Sequence, residues 1–435
     1  MTVKALIRFS GWWLIAIVAL PLFWLVNVFF ESQDHHVYVQ SAEASEVYAH
    51  VVFGHRSLAS GLAHYVEHLA WLNTVGAKQR SANRHSNAWT NPYAVGYWLS
   101  GKPDELDDLL QTLSGLFEPL EVPAKFAAEE REIILREYEA HMVDKPDAQA
   151  AEAMSAFLYA GNNIASSVLG TPDDIRGFSY DDARALHAAT HRPENATLVV
   201  TGGVTEREVS RALKTVDWPA KQSADAESQP PTFELAKPAD TLLRYPEKEA
   251  SARVILRHVA ALPESIPFDL LEAHALLLAD ILNTNLAGGL AGPLRFDNAI
   301  ARGFDVQAWP LDERHIELRF RAAPDRGVSL RAVQKAFRDT LAEISDTGIP
   351  DETYQRVLNR FEDFWPDWED DDDAARWMAD YTLERVAALR QPLPLSDVKR
   401  LEQQLSHQRI NTLLNTIAGN GRTAVAFIGP KERFE

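Results

Sequence analysis

The sequence predicts an α+β fold of two similar units that follow one transmembrane helix. The length of 435 residues exceeds one ordinary core, since domains typically hold about 100 to 200 residues. The segment TAVAFIGP near the carboxyl terminus resembles TLVVTGG at the end of the first half, which favours a distant internal duplication. Residues 11–30 carry no charge over 20 positions, about the thickness of a bilayer's apolar core.

The uncharged segment is predicted to be an uncleaved anchor within residues 1–34. Lys4 and Arg8 precede it and Glu31 follows it, so the positive-inside bias places the short amino terminus in the cytoplasm. A cleaved signal peptide is the alternative, but its apolar region normally runs about 7 to 15 residues and ends near a small-residue cleavage site. We therefore predict a single-pass protein of the bacterial inner membrane whose folded units lie in the periplasm.

The first unit is predicted to cover residues 35–220. Its β-forming runs and its apolar residues at helical spacing predict strands and helices in alternation. The predicted strands are HHVYVQ, EVYAHVVF, 84–90, 93–100 and NATLVVTGG, and the predicted helices are 57–74, 103–116, 123–142, 148–159, 180–191 and a short helix ending at 216.

A linker at residues 221–240 is predicted to separate the two units, because this stretch is rich in Pro, Ser and charge and has no apolar period. The second unit, residues 241–435, is also predicted to consist of strands and helices, as the first unit is. Its predicted elements are a strand at 253–259, a helix at 268–286, strands at 304–309 and 315–321, several further helices and the final strand TAVAFIGP.

Charge and composition exclude several classes of function. The 43 basic against 62 acidic residues give a formal charge of −19, which disfavours nucleic acid as a partner. The chain has no cysteine, which excludes a disulfide framework, a thiol nucleophile and a thiolate zinc site. Any metal must therefore be held by histidine and carboxylate side chains.

Residues 64–68 read His-Tyr-Val-Glu-His and carry the predicted chemistry. On a helix His64, Glu67 and His68 share one face, so two imidazoles and a carboxylate converge. Imidazole nitrogens are good zinc ligands, and a carboxylate beside an attacking water can act as the general base. This H-x-x-E-H order is the inverted zinc-peptidase motif, and a glycosidase would leave the two histidines unexplained. We predict Zn²⁺, one per chain, with Glu67 as the base.

A catalytic zinc needs a third protein ligand. Glu130 and Glu137 lie seven residues apart on a predicted helix, so both face the same side two turns apart. We assign Glu137 as the third ligand and Glu130 as a helper behind the ligands. A solvated helix face or a structural ion pair is the alternative reading of Glu130.

The segments GLAHYVEHLAW and EEREIILRE resemble the metal motifs of the pitrilysin/insulinase family, which includes the mitochondrial processing peptidase. In that family the last Glu of the second motif is a ligand, which here is Glu137. The run from Asn87 through Ala88 to Thr90, with Tyr97, resembles the family's strand that pairs with extended substrate, and residues 191–204 resemble its domain-closing strand. The resemblance implies two similar α/β-sandwich units in a clamshell around the zinc, and a peptide substrate.

The second half departs from the family pattern. The family places an Arg and a Tyr after a glycine-rich turn to hold the substrate backbone, whereas Ile300 and Asp305 stand near those places here. Arg295 and Arg302 are nearby, but neither clearly fills the role. The resemblance therefore implies that this chain is the zinc-bearing member of a pair, with a homologous subunit or a second copy of itself.

A non-catalytic scaffold or assembly subunit is the rival function, because a fold alone does not guarantee activity. Retention of every position for the metal and the base argues against it. The acidic run at residues 369–373 lacks the spacing of a calcium loop, and we read it as the solvated start of a helix.

Overall fold

A computed structural model shows the fold of the protein. It describes residues 24–25, 31–32, 37–55, 60–79, 86–216, 218–219, 232–248, 251–362 and 371–435.

The first half of the chain builds a mixed sheet of seven strands. The strands are β1 Trp24–Leu25, β2 Glu31–Ser32, β3 Val37–Glu43, β4 Val47–Gly54, β5 Ser86–Thr90, β6 Ala94–Gly101 and β7 Ala196–Gly202. Their order is β1-β3-β7-β4-β6-β5, and β2 also pairs with β3. Only the pairing of β3 with β7 is parallel, and β5 forms one edge of the sheet.

The helices of the first half cover this sheet and bring apolar residues onto it. They are α1 Leu62–Gln79, α2 Leu106–Ser114, α3 Ala124–Met142, α4 Pro146–Leu158, α5 Pro172–Gly177, α6 Tyr180–Thr190 and α7 Glu206–Thr215. In α2 the four leucines at 106, 109, 110 and 113 recur at helical spacing, and all four are buried. The side chains of α1, α2, α6 and α7 form one core with β4, β6 and β7.

The second half builds a mixed sheet of five strands. They are β8 Ala239–Pro246, β9 Arg253–Ala261, β10 Ala301–Pro310, β11 His315–Pro324 and β12 Arg422–Gly429, in the order β10-β11-β9-β12-β8. The helices of this half are α8 Phe268–Asn283, α9 Leu330–Thr347, α10 Asp351–Glu362, α11 Asp371–Ala387, α12 Leu395–Glu402 and α13 His407–Ala418.

The two sheets have the same topology once β1 and β2 are set aside. Numbering each set of five strands along the chain gives the spatial order 1-5-2-4-3 in both, and strands 1 and 5 are the parallel pair in both. The strands β7 and β12, which contain TLVVTG and TAVAFIG, occupy the same position. The predicted duplication is therefore confirmed at the level of topology.

The halves exchange one helix each. Helix α4 of the first half lies on the second sheet, where Met154 and Leu158 pack with Val259 and Ala424. Helix α11 of the second half lies on the first sheet, where Val386 packs with residues of β3, β4 and β7. Each sheet thus has its own helices on one face and a helix of the other half on the opposite face, so the two units share their cores.

A buried ion pair lies at the contact of α4 with the second sheet. Arg257 on β9 donates from Nε to Oε1 of Glu317 on β11 at 2.5 Å, and both side chains are buried. The same guanidinium donates to Ser155 Oγ of α4 at 2.8 Å and to the Tyr159 hydroxyl at 2.6 Å. The hydroxyl of Tyr159 in turn donates to Glu317. Polar groups of both halves therefore satisfy one another inside this contact.

The predicted anchor at residues 11–30 lies outside the described residues except for Trp24 and Leu25. These two residues are extended rather than helical, because their backbone pairs with Ala42 and Glu43 at the outer edge of β3. In the part of the chain that the structure describes, no helix is long and apolar enough to cross a membrane. The predicted linker also falls mostly outside the described residues, and β8 begins within its last two positions.

Candidate metal centre

Helix α1 carries the inverted motif, and its buried face sets the direction of the motif residues. A turn at Gly61, with φ of 72°, precedes the helix. A side chain there would meet the Leu169 carbonyl at 2.7 Å, so the turn requires glycine. Tyr65 is buried and donates its hydroxyl to the Ala127 carbonyl of α3 at 2.9 Å. Because Tyr65 and Val66 enter the core, the motif's polar residues face α3 and β5.

The structure brings the two histidines and Glu137 together as the sequence predicted. His64 Nε2 lies 3.2 Å from His68 Nε2. Oε2 of Glu137, on α3, lies 3.6 Å from His64 Nε2 and 3.4 Å from His68 Nε2. Three donor atoms thus form a nearly equilateral triangle.

Glu67 lies beside the same atoms. The ligand atoms of His64, Glu67 and His68 also lie within 4.8 Å of one another. Distance alone therefore allows Glu67 as a ligand. Its Oε2, however, accepts a hydrogen bond from the Thr90 hydroxyl at 2.7 Å, whereas Oε2 of Glu137 is the carboxylate oxygen that faces both imidazole nitrogens. We therefore take Glu137 as the third metal-binding candidate and keep Glu67 as the candidate general base.

Glu130 lies behind His68 and is buried. Its Oε2 is 3.0 Å from His68 Nδ1, so the ring can donate Nδ1–H to Glu130 and leave Nε2 to face the triangle. Glu130 is therefore not on a solvated helix face. The seven-residue spacing places Glu130 and Glu137 on the two nitrogens of one imidazole.

Charge is distributed unevenly over the two imidazoles. Burial, with a smaller effect from the nearby His68, lowers the pKa of His64 to about 3. Burial also opposes charge on His68, but hydrogen bonds with Glu130 and Glu137 outweigh it and raise the pKa of His68 to about 10. A positive charge is therefore favoured on the His68 ring, between the carboxylates of Glu130 and Glu137.

The pKa values of the Glu67 and Glu137 carboxylates shift in opposite directions. Burial raises the pKa of Glu67, and His68 and Thr90 only partly oppose that rise. Burial acts the same way on Glu137, but the hydrogen bond from His68 and the charges of the nearby histidines together outweigh it and lower the pKa of Glu137. Glu137 is thus held as an anion, while Glu67 is the more basic carboxylate.

The predicted substrate strand is β5, and it lies next to the motif helix. Asn87 is exposed, Ala88 packs against the first core, and Thr90 reaches Glu67. Tyr97 is buried away from this edge, where its hydroxyl lies 2.9 Å from His191 Nε2. The contact of Thr90 with Glu67 was not predicted, since the sequence shows no signal for which strand residue faces the helix.

The second half has a helix in the place of α1 but not its chemistry. Helix α8 also connects the second and third strands of its unit. Its His274 is fully buried, with Nδ1 2.6 Å from the Leu270 carbonyl and Nε2 accepting from the Ser406 amide. In the segment that departs from the family pattern, Ile300 packs against the second core and Arg295 stacks over Phe296.

The duplicated units and the inverted motif in only the first of them define the class: a metallopeptidase fold with one motif-bearing and one motif-free unit. Two family models match the chain, Insulinase (Peptidase family M16) over residues 37–172 and Peptidase M16 inactive domain over residues 177–361. The chain belongs to peptidase family M16, and the resemblance inferred from its motifs is confirmed.

Curated relatives are distant and match only part of their length. The chain is 25% identical over 187 residues to the probable mitochondrial-processing peptidase subunit beta of Schizosaccharomyces pombe, covering 40% of each chain. It is 23% identical over 162 residues to the zinc protease PqqE of Helicobacter pylori, covering 36% of each chain. Less than half the length of these relatives is thus matched.

Solved structures share the fold over nearly the whole chain. A putative M16-like peptidase from Alicyclobacillus acidocaldarius has a TM-score of 0.72 at 16% identity, covering 95% of this chain and 100% of that one. The periplasmic protease PqqL from Escherichia coli has a TM-score of 0.74 at 18% identity, covering 95% of this chain but 48% of that one. This chain therefore has the extent of one half of the longer protease.

Proposed function

We propose that the protein is a zinc-dependent endopeptidase that cleaves peptides or unfolded protein segments. The observation that carries the proposal is the triangle of donor atoms from His64, His68 and Glu137. Zinc binds such atoms at about 2.0 to 2.1 Å in a tetrahedron, which separates neighbouring ligand atoms by about 3.3 to 3.4 Å. The observed separations of 3.2, 3.4 and 3.6 Å fit this ion.

Three protein ligands leave one position of a tetrahedral zinc for water or substrate, as in catalytic rather than structural sites. Bound zinc would supply Lewis acidity, polarising the scissile carbonyl and making a water more acidic. The protein's own part falls to Glu67, which accepts a proton from the attacking water and returns it to the leaving amine. Glu130 orients His68 by accepting its Nδ1–H.

The substrate is an extended peptide that pairs with the free edge of β5, beside Asn87, Ala88 and Thr90. Edge strands offer unpaired backbone groups, which bind peptides of many sequences. Within the described sheet, β5 pairs with β6 on one side only. This edge adjoins Glu67 through Thr90, so the bound peptide would lie next to the base.

We further propose that the chain works with a second M16 chain, either a homologous subunit or a second copy. It aligns with the first half of PqqL over 94% of that half, with a TM-score of 0.75. The two units share cores through the exchanged helices, which leaves little freedom for a clamshell to open within one chain. The partner would supply the other half of the clamshell, including the Arg and Tyr that hold the substrate backbone in the family.

From residues 1–34 alone, we also propose a membrane anchor. It would place the protein in the bacterial inner membrane, with the folded units in the periplasm.

The rival function is a non-catalytic scaffold. Another relative bears on it, subunit 1 of the bovine mitochondrial cytochrome b-c1 complex, which is 21% identical over 157 residues. The assembled triangle and the adjacent base favour the peptidase.

The test is zinc content together with cleavage of a mixed peptide library by the full chain, alone and with any homologous chain that copurifies. We expect one zinc per chain. The Glu67→Gln variant should keep the zinc and lose cleavage by about 10² to 10⁴-fold, the usual contribution of a general base. Cleavage that survives in Glu67→Gln would refute the assigned base. Absence of zinc after metal loading would favour the scaffold, and full activity of a monomer would refute the pairing.

A further inference from the structure

Strand β5 is held in place from both of its faces. On one face Ala88 and Thr90 point toward helix α1, and Ala88 packs against the first core. On the other face Trp89 packs in the cluster that contains Val386 of the exchanged helix α11. The indole covers Gly96 so closely that a side chain there would meet it at 2.2 Å. The position of the Thr90 backbone is therefore determined by both halves of the chain.

The Thr90 hydroxyl donates its hydrogen bond to one oxygen of Glu67. It donates to Oε2 at 2.7 Å, and a hydroxyl has a single hydrogen to donate. Glu67 is only 8% exposed, so water contributes little to holding its carboxylate. Threonine is stiff at χ1 because it is β-branched, so its hydroxyl follows the backbone of β5. Fixing Oε2 in this way fixes the plane of the carboxylate and leaves Oε1 for the reacting water.

We propose that Thr90 is a positioning residue that links the substrate-binding edge strand to the orientation of Glu67. Pairing of a peptide with β5 and alignment of the base then depend on the same strand, which keeps the base in register with the bound peptide. The proposal rests on the proposed peptidase function and adds a role that a residue contacting only substrate would not have.

The test compares Thr90→Val, which has nearly the same shape but no hydroxyl, with Thr90→Ser, which keeps the hydroxyl. The full chain is used, with its homologous partner where one copurifies, and zinc content, kcat and KM are measured on a library-derived peptide. We expect Thr90→Val to lower kcat about ten- to hundredfold, as for loss of a hydrogen bond to a charged group, with zinc content and KM unchanged. Thr90→Ser should restore most of kcat.

The matched control is Thr74→Val on helix α1. The Thr74 hydroxyl is buried and has no hydrogen-bond partner among the described residues, so its loss should leave kcat and KM unchanged. A raised KM with unchanged kcat in Thr90→Val would show a substrate contact alone and overturn the proposal. So would unchanged kinetics, or a Thr90→Ser variant as slow as Thr90→Val. If the zinc-loaded wild type cleaves nothing, the proposed function fails and the positioning role falls with it.

Discussion

At the scale of single residues, His68 connects the metal centre to the body of the first unit. One ring nitrogen faces His64 and Glu137, and the other faces the buried Glu130. The ring is therefore oriented by a group that does not itself reach the triangle. Carboxylates in this position fix the tautomer of a ligating imidazole and increase its basicity. We therefore propose that Glu130 supports metal binding by orienting His68.

Replacing Glu130 by Gln should weaken zinc binding. The amide keeps the size of the side chain but loses the charge that attracts Nδ1–H, so we expect zinc affinity to fall about 10- to 100-fold. Competition with a chelator of known affinity measures the change. Glu129→Gln is the control, because Glu129 is exposed and lies 3.7 Å from Lys125 on the surface. Equal zinc affinity in Glu130→Gln and wild type would contradict the role of Glu130.

At the scale of elements, the exchanged helix α4 belongs in sequence to one unit and in packing to the other. Its apolar residues Ala150, Met154 and Leu158 recur at spacings of four and are buried. Nothing in that pattern indicates which sheet they cover. In the folded chain they cover β9 and β12, whose inner face would otherwise expose apolar side chains.

The Met154→Ala variant should destabilise both halves together. Met154 is fully buried, and truncation of such a side chain costs about 2 to 5 kcal/mol of unfolding free energy. Because α4 comes from one half and its contacts from the other, we expect one cooperative transition shifted to lower denaturant. Chemical denaturation followed by tryptophan fluorescence and by circular dichroism tests this. Ala156→Ser, at an exposed position of the same helix, should change little. Two separate transitions in the wild type would contradict the shared core.

At the scale of the whole molecule, the contact between the halves contains a buried charge pair. Arg257 and Glu317 are both nearly inaccessible to water, and Tyr159 and Ser155 complete their hydrogen bonds. Such a pair adds little net stability, but breaking it leaves an uncompensated buried charge. It therefore penalises any arrangement in which α4 leaves the second sheet.

Replacing Arg257 alone should cost more than replacing both partners. We expect Arg257→Leu to lower the free energy of unfolding by about 3 to 5 kcal/mol, since Glu317 remains buried without its counter-charge. The double variant Arg257→Leu with Glu317→Leu should recover much of that loss. Urea unfolding curves at one pH measure the three proteins. A double variant less stable than the single one would contradict this expectation, because it would show that the ion pair itself adds net stability to the fold.

Local patterns in the sequence determined much of this protein. Helix geometry places His64, Glu67 and His68 on one face whatever the rest of the chain does. The helix predicted at 123–142 is found at Ala124–Met142. The similarity of the two apolar segments that form β7 and β12 predicted the duplication. These features depend on spacings within a few turns or on apolar runs, which the order of residues displays directly.

Only the tertiary structure decided the rest. The hydrogen bond of Thr90 to Glu67 and the exchange of α4 and α11 join segments distant along the chain. The motif spacing within α3 predicted that Glu130 and Glu137 share a face, but not which atoms they meet. Amphipathic periodicity shows that a face will be buried, whereas the partner of that face is set by the packing of the whole chain.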